Sequence, residues 1–279
     1  MRDKTVIITG ATSGIGEAAA LALAAKGARI VFTARDRARA EATLGALTRA
    51  NPDAAHDFVL GELSTLAGMR AAGEALAAKA PRIDVLANNA GAMFNPREAT
   101  ADGLEKTFAV NHMAYFVITE ILRPHLDGAG ARIVSTASGA HALGRLDFDD
   151  LQSEAKYSAM TVYGTSKLCN ILWTRELARR LAGAQVTVSC FHPGGVNTGF
   201  GSNTHGLIKT VFGLAGRFLL TPAKGADTLV WLASAPEAAG QTGGYWVRRR
   251  LTQPSAAARD AAAAARLWDV SAKIAGAMA

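Results

Sequence analysis

A tyrosine and a lysine lie four residues apart in a segment whose pattern predicts a helix. Tyr163 and Lys167 fall within residues 161–183, and this spacing puts two side chains on one helix face, a turn apart. A tyrosine hydroxyl has an ordinary pKa of about 10, and a nearby ammonium group favours the phenolate and lowers that pKa. The pair could therefore exchange a proton with an alcohol or a carbonyl group. The alternative is an exposed tyrosine and lysine on a helix surface, and the spacing alone does not exclude it.

A serine follows a predicted strand at residues 131–136. Ser138 comes just after the carboxyl end of that strand, and in open α/β sheets ligands bind outside the carboxyl ends of the strands. Its hydroxyl could donate a hydrogen bond to a developing alkoxide. Ser135 and Thr136 lie within the strand, where we expect them to pack or pair. Ser138 is therefore the third candidate for the reactive group.

A glycine-rich loop follows the first predicted strand and precedes a helix. The start of a helix offers unpaired N–H groups and a positive dipole end to phosphate, and glycines let the backbone approach the phosphate closely. The spacing GxxxGxG differs from the general GxGxxG fingerprint, but its position between strand and helix is the required one. We predict a dinucleotide site with contacts from Gly10, Thr12, Ser13, Gly14, Ile15 and Gly16.

The end of the second predicted strand selects the dinucleotide. An acid there would bind the ribose 2′-hydroxyl, whereas an arginine would accommodate a 2′-phosphate. The strand ends on Ala34, and Arg35 follows with a planar guanidinium that suits phosphate. Asp36 either faces the ribose or caps the next helix, and the helical pattern after it favours the cap. The sequence thus favours NADP(H), with NAD(H) as the alternative.

Short apolar segments alternate with longer alanine-rich segments along the chain, a pattern typical of βαβ units and a parallel sheet. The apolar centre of the first strand, Val6–Ile8, shows no alternation, which indicates cover on both faces. We predict one doubly wound α/β domain over residues 1–279. The strands are predicted at residues 4–9, 28–33, 57–60, 83–88, 131–136 and 185–191, with a further one at 244–247. The helices are predicted at 15–26, 37–50, 64–79, 101–125 and 161–183, and from about residue 256.

Composition excludes several other classes of protein. Of 279 residues, 49% are hydrophobic and 19% charged, which excludes disorder. No apolar stretch approaches the length of about 20 residues that a spanning helix needs. The first strand begins almost at Met1, which leaves no room for a signal peptide. Two cysteines without a CxxC pair argue against a disulfide framework or a zinc site, and no metal is expected. We therefore expect a cytoplasmic protein without an integral membrane segment.

The net charge is +7, and the basic excess lies mainly between residues 155 and 225. Such a region can attract nucleic acid, anionic lipid or a phosphorylated ligand. Nucleic acid is disfavoured, because only 6% of the residues are aromatic and no nucleic-acid motif is visible. An ordinary solvated face is the favoured interpretation. An anionic cofactor and a membrane surface are the alternatives.

Three stretches interrupt the regular pattern. Residues 140–160 are polar and irregular, and residues 199–222 begin like a loop and become apolar. Both flank the reactive residues, which favours substrate lids over a surface loop and a packed helix. Membrane contact by residues 207–220 is a further alternative. The arginine triplet at 248–250 is expected to be a solvated strand end, with an anionic substrate or partner as the alternative.

Taken together, these motifs resemble the short-chain dehydrogenase/reductase family, in the order that the family has them. The matching pieces are TGxxxGxG at 9–16, Asn88-Asn89-Ala90-Gly91, Asn111, Ser138, Tyr163-xxx-Lys167 and Pro193-Gly194-xxx-Thr198. Three stretches are similar to its retinol-dehydrogenase-like branch: RLDFDDLQSE, VYGTSKLCNILWTRELARRL and CFHPGGVNT.

The resemblance implies a Rossmann fold with a seven-stranded sheet and hydride transfer at the nicotinamide. Tyr163 would be the acid–base, and Lys167 would lower its pKa and hold the nicotinamide ribose. Ser138 would orient the substrate oxygen, and Asn111 would support a water-linked proton path to Lys167. A homodimer or homotetramer is common in the family.

The same resemblance implies further cofactor contacts. Glu62-Leu63 stands where the family usually has Asp-Leu to contact adenine, and the backbone of Asn89, Ala90 and Gly91 would line the adenosine site. Thr198 would hold the carboxamide. The remaining expected contacts after the sixth strand are Pro193, Gly194 and Val196.

The function predicted from the residues and the resemblance is NADP(H)-dependent interconversion of an alcohol and its aldehyde or ketone. The apolar lid and the branch favour a bulky lipophilic substrate of the retinoid, steroid or aromatic carbonyl type. The alternatives are an NAD-dependent alcohol dehydrogenase and a dinucleotide-binding sensor without catalysis, which would have no need of Tyr163 and Lys167.

Overall fold

A single eight-stranded sheet runs through the structure, a computed structural model that describes residues 1–126, 130–195 and 220–276. Its order is β3-β2-β1-β4-β5-β6-β7-β8, and the first seven strands are parallel. The apolar side chains of Val6–Ile8 are fully buried, as expected for strands covered on both faces. The strands are β1 (Thr5–Ile8), β2 (Arg29–Ala34), β3 (Asp57–Leu60), β4 (Val85–Asn88), β5 (Ala131–Thr136), β6 (Val186–His192), β7 (Gly244–Val247) and β8 (Arg250–Leu251).

Helices cover both faces of the sheet, so the predicted doubly wound Rossmann fold is confirmed. The helices are α1 (Gly14–Ala25), α2 (Arg37–Ala50), α3 (Leu66–Lys79), α4 (Lys106–Phe108), α5 (Ala114–Leu122), α6 (Ala159–Arg180), α7 (Pro222–Ser234) and α8 (Ala261–Ile274). Helices α1, α2 and α7 share one apolar core with the sheet, and α3, α5, α6 and α8 share the other. The carboxyl ends of β1, β4, β5 and β6 consequently meet at one edge, where such folds bind ligands.

The prediction of seven strands is wrong by one short strand. The two residues of β8 pair antiparallel with β7 through a two-residue turn. Both turn residues, Arg248 and Arg249, have positive φ values of 50° and 60°, which matches the right-handed twist of a hairpin although glycine or asparagine is usual there. The Arg249 guanidinium pairs with Asp227, with its Nε 2.7 Å from Oδ2. The triplet is exposed, as expected for a solvated strand end.

The helix predicted at residues 101–125 is broken into shorter pieces. Helix α4 begins only at Lys106, because the buried Glu105 side chain caps it by accepting hydrogen bonds from the N–H groups of Thr107 and Phe108. A π-turn over Ala109–Met113 then widens the backbone before α5. Such insertions often occur at functional sites, and this one carries Asn111.

The two expected lid segments differ in how far the structure describes them. Residues 140–160 contain the end of a 3₁₀ helix (Gly139–Leu143) and then turns without regular structure until α6 begins. Most of the 199–222 segment, and most of the apolar stretch 207–220, lies outside the described residues. Among the helices that are described, none combines the length and the apolar character needed to cross a bilayer.

Candidate active site

The glycine loop between β1 and α1 adopts a backbone that needs its glycines. Gly10 and Gly14 have φ values of +69° and +59°, in the left-handed region that glycine enters without strain. A Cβ on Gly16 would overlap the carbonyl oxygen of Gly10 and lie 2.5 Å from Asn89 Nδ2. The loop therefore packs against the first turn of α1 with no room for a side chain.

The end of β4 holds this loop in place. The Asn89 carboxamide donates hydrogen bonds to the carbonyl oxygens of Thr9 and Gly10, both at 3.1 Å. The Thr9 hydroxyl accepts from the N–H groups of Asn89 and Ala90 at 2.9 and 3.0 Å. The predicted residues of the loop and of the Asn89–Gly91 segment are thus brought together at the edge of the sheet.

The arrangement fits the phosphates of a dinucleotide. Ser13 caps α1 in an extended conformation, and its side chain makes no hydrogen bond to the N–H groups of the first turn. The N–H groups of the first turn of α1, that of Ile15 among them, point along the helix axis toward the loop, which contains Thr12. The missing Cβ atoms leave space for a ligand to approach the backbone.

The end of β2 lies beside the loop, because β2 pairs with β1. Asp36 caps α2 through a 2.8 Å hydrogen bond from Arg39 N, so the cap interpretation of Asp36 is confirmed. Arg35 is exposed. Arg39 was not predicted as a site residue, yet its Nη2 donates to the carbonyl oxygen of Thr12 at 3.2 Å. One guanidinium group therefore contacts this side of the loop, and Arg35 is exposed at the adjoining strand end.

The other predicted cofactor contacts are more scattered. Glu62 is exposed and its Oε1 accepts from Ser64 N at 2.9 Å, whereas Leu63 is buried in the core. Pro193 follows β6, and Gly194 has a φ of +87° with Leu220 packed against it. The two remaining expected contacts, Val196 and Thr198, lie outside the described residues.

Ser138, Tyr163 and Lys167 converge at the carboxyl end of β5. Helix α6 brings Tyr163 and Lys167 to one face, with Lys167 Nζ 5.7 Å from the centre of the Tyr163 ring. The ammonium donates a 3.0 Å hydrogen bond to the carbonyl oxygen of Thr136, and Lys167 is 2% exposed. The Ser138 side chain hydrogen-bonds with Tyr163. The surface alternative for the tyrosine–lysine pair is therefore wrong.

Burial controls the proton affinity of both groups. It raises the pKa of Tyr163 to about 12, against the opposing effect of the Ser138 hydrogen bond. Burial also lowers the pKa of Lys167 to about 7. The expected lowering of the tyrosine pKa is therefore wrong for this arrangement, because the cost of burying a phenolate outweighs the opposing hydrogen bond with Ser138. At neutral pH the phenol keeps its proton and can donate it.

Asn111 joins this group through the π-turn. Its carboxamide pairs with the backbone of Ala92 in both directions, at 2.8 and 2.9 Å, and also donates to Ser166 Oγ at 2.9 Å. A Cβ on Gly91 would lie 3.2 Å from Asn111 Oδ1 and 3.5 Å from Lys167 Nζ. Because Gly91 has no side chain, it leaves the position of that Cβ, near both polar atoms, unfilled.

A second tyrosine, Tyr115, lies near Lys167 and was not predicted as a site residue. Lys167 Nζ lies 5.6 Å from the centre of the Tyr115 ring, and burial, followed by the nearby Tyr163, raises the pKa of Tyr115 well above 10. Tyr115 follows Asn111 by four residues, so the helical spacing could have indicated a shared face.

The burial of Lys167 predicts a stabilising mutation. The unfolded chain binds more protons than the folded protein between the folded pKa of about 7 and the ordinary value of 10.5, so wild-type stability rises with pH across this range. We expect Lys167→Met to raise the free energy of unfolding by about 1–3 kcal/mol at neutral pH, and by less near pH 10. Urea unfolding at both pH values measures this.

The exposed Lys26 provides the control for that comparison. Lys26→Met should change the free energy of unfolding by less than about 0.5 kcal/mol at either pH. A Lys167→Met variant that is less stable than wild type at neutral pH would contradict the assigned cost of burying this ammonium.

No group of three or more potential metal-ligating side chains lies together within the described ranges. Cys169 and Cys190 are buried thiols without a disulfide. Burial raises the pKa of each thiol to about 12. Neither cysteine therefore has the thiolate character of a nucleophile.

The chain combines a doubly wound sheet, a glycine loop before the first helix, and a buried lysine beside a half-buried tyrosine at the same edge. These features define a nicotinamide-dinucleotide oxidoreductase of the Rossmann type. Residues 4–206 match the family model of the short chain dehydrogenases. The chain belongs to this family, as the resemblance implied.

Its relatives include proteins named for alcohol or ketone chemistry. The chain is 46% identical over 275 residues to a Streptomyces sp. (strain C5) protein whose name proposes a daunorubicin C-13 ketoreductase, covering 98% of this chain and 93% of that protein. It is 42% identical to human retinol dehydrogenase 14 over 288 residues, covering 97% and 86%. The retinol-dehydrogenase-like branch is thereby confirmed.

Solved structures share the fold. A crystal structure of a Mycobacterium paratuberculosis protein has a TM-score of 0.80 and 30% identity, covering 99% of this chain and 94% of that chain. A Burkholderia cenocepacia short chain dehydrogenase with NADP has a TM-score of 0.69 and 25% identity, covering 88% and 96%. A Brucella melitensis 3-ketoacyl-(acyl-carrier-protein) reductase with NADH has a TM-score of 0.69 and 28% identity, covering 88% and 97%.

Proposed function

We propose that the chain is an NADP(H)-dependent oxidoreductase that interconverts an alcohol and its aldehyde or ketone, in one domain over residues 1–279. The observation that carries this proposal is the convergence of Ser138, Tyr163 and Lys167 beside the glycine loop, with the lysine buried and the tyrosine half-buried. A dinucleotide-binding protein without catalysis would have no use for a buried ammonium, whose desolvation costs stability.

In the proposed reduction, the Tyr163 hydroxyl donates its proton to the carbonyl oxygen of the substrate, and the Ser138 hydroxyl donates a hydrogen bond to the same oxygen. The bound nicotinamide would supply the hydride. Lys167 would replenish the tyrosine proton and hold the nicotinamide ribose. Asn111 would order a water in the gap beside Gly91 and so link Lys167 to solvent. The reverse sequence of proton movements oxidises the alcohol.

The cofactor contacts are proposed on the same grounds. The α1 N-terminus and the glycine loop would hold the pyrophosphate, Asn89–Gly91 the adenosine, and Glu62-Leu63 the adenine. NADP(H) is favoured because Arg35 stays exposed at the end of β2 and Asp36 is used as a helix cap. Arg39 adds a second cation beside Thr12, so a 2′-phosphate would meet two guanidinium groups.

Arg35→Ala tests this choice of cofactor. We expect the variant to bind NADPH about 10- to 100-fold more weakly, because a charge-assisted hydrogen bond is lost, and to bind NADH with unchanged affinity. Isothermal titration of each cofactor measures both. Arg37→Ala is the matched control, since Arg37 is an exposed neighbour that pairs with Glu41 at 3.7 Å. Equal affinity of the wild type for NADH and NADPH, unchanged in Arg35→Ala, would favour an NAD-dependent dehydrogenase.

A bulky lipophilic substrate is proposed, of the retinoid, steroid or aromatic carbonyl type. The names of the relatives point to retinol and to an anthracycline ketone. Leu143, in the 3₁₀ helix just beyond Ser138, is 59% exposed within the proposed lid of residues 140–160, and an exposed leucine at a ligand edge suits an apolar partner. The second proposed lid is the 199–222 segment.

A panel of carbonyl substrates tests the proposed function. All-trans-retinal, daunorubicin, a steroid ketone and a small aliphatic aldehyde are incubated with the protein and NADPH, and the loss of NADPH absorbance is followed. We expect turnover of at least one bulky carbonyl, with a higher kcat/KM than for the aliphatic aldehyde. The absence of NADPH oxidation with every compound, and of the reverse reaction with the matching alcohols, would contradict the proposal.

We also propose a cellular compartment and an oligomeric state for the enzyme. Its buried thiols suit a reducing compartment such as the cytoplasm, and the family resemblance implies a homodimer or homotetramer. Light scattering after size-exclusion chromatography would determine the assembly.

A further inference from the structure

Two histidines from different elements hold the peptide group between Ser138 and Gly139. His141, one turn further along the 3₁₀ helix, has its Nδ1 2.7 Å from the carbonyl oxygen of Ser138. His192, the last residue of β6, accepts a 3.0 Å hydrogen bond at Nδ1 from the N–H group of Gly139. Its ring contacts Gly139, since a Cβ there would be 3.2 Å from His192 Nε2. The carbonyl oxygen and the N–H group of the one peptide that joins Ser138 to Gly139 are therefore each held by an imidazole.

The hydrogen bonds determine the tautomer of each ring. Ser255 N donates to His141 Nε2 at 3.1 Å, so Nε2 is an acceptor and the proton of the neutral ring is on Nδ1, which donates to Ser138. His192 accepts at Nδ1, so its proton is on Nε2. The two rings must hold opposite tautomers. A second proton on either ring would place an N–H group against another N–H donor.

The groups that face the His192 ring work against its protonation. His192 faces His141 and the guanidinium of Arg248, and its pKa is lowered by burial, then by His141 and by Arg248. His141 is 6% exposed, and its ring packs edge-on against Tyr245 with the centroids 5.2 Å apart. Among the described residues, no carboxylate is recorded as an ion-pair or hydrogen-bond partner of either imidazole.

We propose that His141 and His192 are positioning residues for Ser138, and that they hold it only as neutral imidazoles of opposite tautomer. The positioning role depends on the proposed oxidoreductase function, because Ser138 must be placed to donate to the substrate oxygen. Ser255 carries the same chain of hydrogen bonds into the C-terminal segment, so this segment supports the site from a distance of more than 110 residues along the chain.

Acid should therefore release Ser138. Because the His192 pKa is lowered in the folded protein, the folded state binds fewer protons than the unfolded chain between that lowered pKa and the ordinary value of 6.5. The stabilisation is fully present above pH 6.5 and is lost as the pH falls toward the lowered pKa. Catalysis should fall over the same range, with an effect on kcat rather than on KM, since Ser138 acts on the transition state.

The first test measures the tautomer of each imidazole and needs no enzymatic turnover. Long-range proton–nitrogen NMR spectra of the ¹⁵N-labelled wild-type protein at neutral pH distinguish a pyrrole-type from a pyridine-type nitrogen in each imidazole. We expect a proton on Nδ1 for His141 and on Nε2 for His192, assigned with the variants below. The same tautomer in both rings, or a protonated ring at neutral pH, would overturn the proposal.

The second test compares two replacements of His192 in the carbonyl assay. His192→Asn keeps an acceptor at the position of Nδ1 but cannot be protonated, whereas His192→Leu removes the acceptor. We expect His192→Leu to lower kcat about 10- to 100-fold with little change in KM, and His192→Asn to stay within about three-fold of wild type. The acid-side fall in kcat/KM should move to lower pH in His192→Asn.

The matched control is His125→Asn, at the opposite edge of the sheet, where the His125 ring contacts the carbonyl oxygen of Pro81. It should leave kcat and the pH profile unchanged. Equal losses in the Asn and Leu variants, or a pH profile of His192→Asn identical to wild type, would overturn the positioning role. A wild-type protein without any carbonyl or alcohol turnover would overturn the proposed function and the positioning role with it, whereas the NMR reading would still decide whether the opposite tautomers exist.

Discussion

Tyr163→Phe is expected to lower kcat by about a thousand-fold while the affinity for NADPH stays within about two-fold of wild type. The change removes one hydroxyl and leaves the ring, which lies 5.7 Å from Lys167 Nζ. No other group in the proposed mechanism can deliver a proton directly to the substrate oxygen. The hydrogen bond with Ser138 is lost as well, so the serine hydroxyl loses a partner that orients it. Steady-state kinetics with the best carbonyl substrate, and titration with NADPH, measure the two effects separately.

Tyr115→Phe is the control for this experiment. Its ring is more deeply buried than that of the half-buried Tyr163 and lies at nearly the same distance, 5.6 Å, from the same ammonium. Deleting its hydroxyl should change kcat by no more than about five-fold. If Tyr115→Phe abolished turnover and Tyr163→Phe did not, Tyr115 would be the proton donor, and the roles proposed for the two tyrosines would have to be exchanged.

Gly16→Ala is expected to abolish measurable NADPH binding and to lower the free energy of unfolding by about 2–4 kcal/mol. The added methyl group would overlap the Gly10 carbonyl oxygen and press on Asn89 Nδ2. Gly10 belongs to the loop and Asn89 follows β4, which pairs with β1, so relief requires the start of α1 to move away from β1. That movement would displace the N–H groups proposed to bind the pyrophosphate. Thermal unfolding and cofactor titration report the two losses.

Gly45→Ala is the matched glycine control, in the middle of α2. A Cβ there would make an ordinary contact, 3.5 Å from Arg49 Nη1, and alanine is favoured over glycine inside a helix. This variant should be more stable than wild type by about 0.5–1 kcal/mol and should bind NADPH normally. A Gly16→Ala protein with wild-type stability and affinity would contradict the close packing of the loop.

The sequence could predict the elements whose signal is local. The continuous apolar strands and the alanine-rich helices predicted the sheet and its cover, and the helical pattern after Asp36 predicted the cap. Strand β8 could not be predicted, because its two residues, Arg250 and Leu251, are too few to show a strand periodicity, and Arg248 and Arg249 are unusual residues for a hairpin turn. The π-turn at Asn111 was equally hidden, since it depends on hydrogen bonds to Ala92, nineteen residues away.

In the candidate site, too, local features could be predicted from the sequence, whereas features that depend on tertiary contacts could not. The spacing of Tyr163 and Lys167 predicted their shared face, but the direction of the tyrosine pKa depends on burial, which the tertiary structure decides. The contacts of His141 and His192 with the Ser138 segment require three distant parts of the chain to meet. The sequence carries no indication that the ring of His192 reaches Gly139.

The central claim is that this site transfers hydride between the nicotinamide and a carbonyl carbon. The most direct test uses NADPH deuterated at the transferable position of the nicotinamide, together with the best carbonyl substrate of the panel. Mass spectrometry of the alcohol should show one deuterium on the carbinol carbon of the wild-type product. Tyr163→Phe should form labelled alcohol only at its residual rate, about a thousand-fold below that of the wild type. Alcohol formed without deuterium, or no alcohol from any substrate of the panel, would contradict the account.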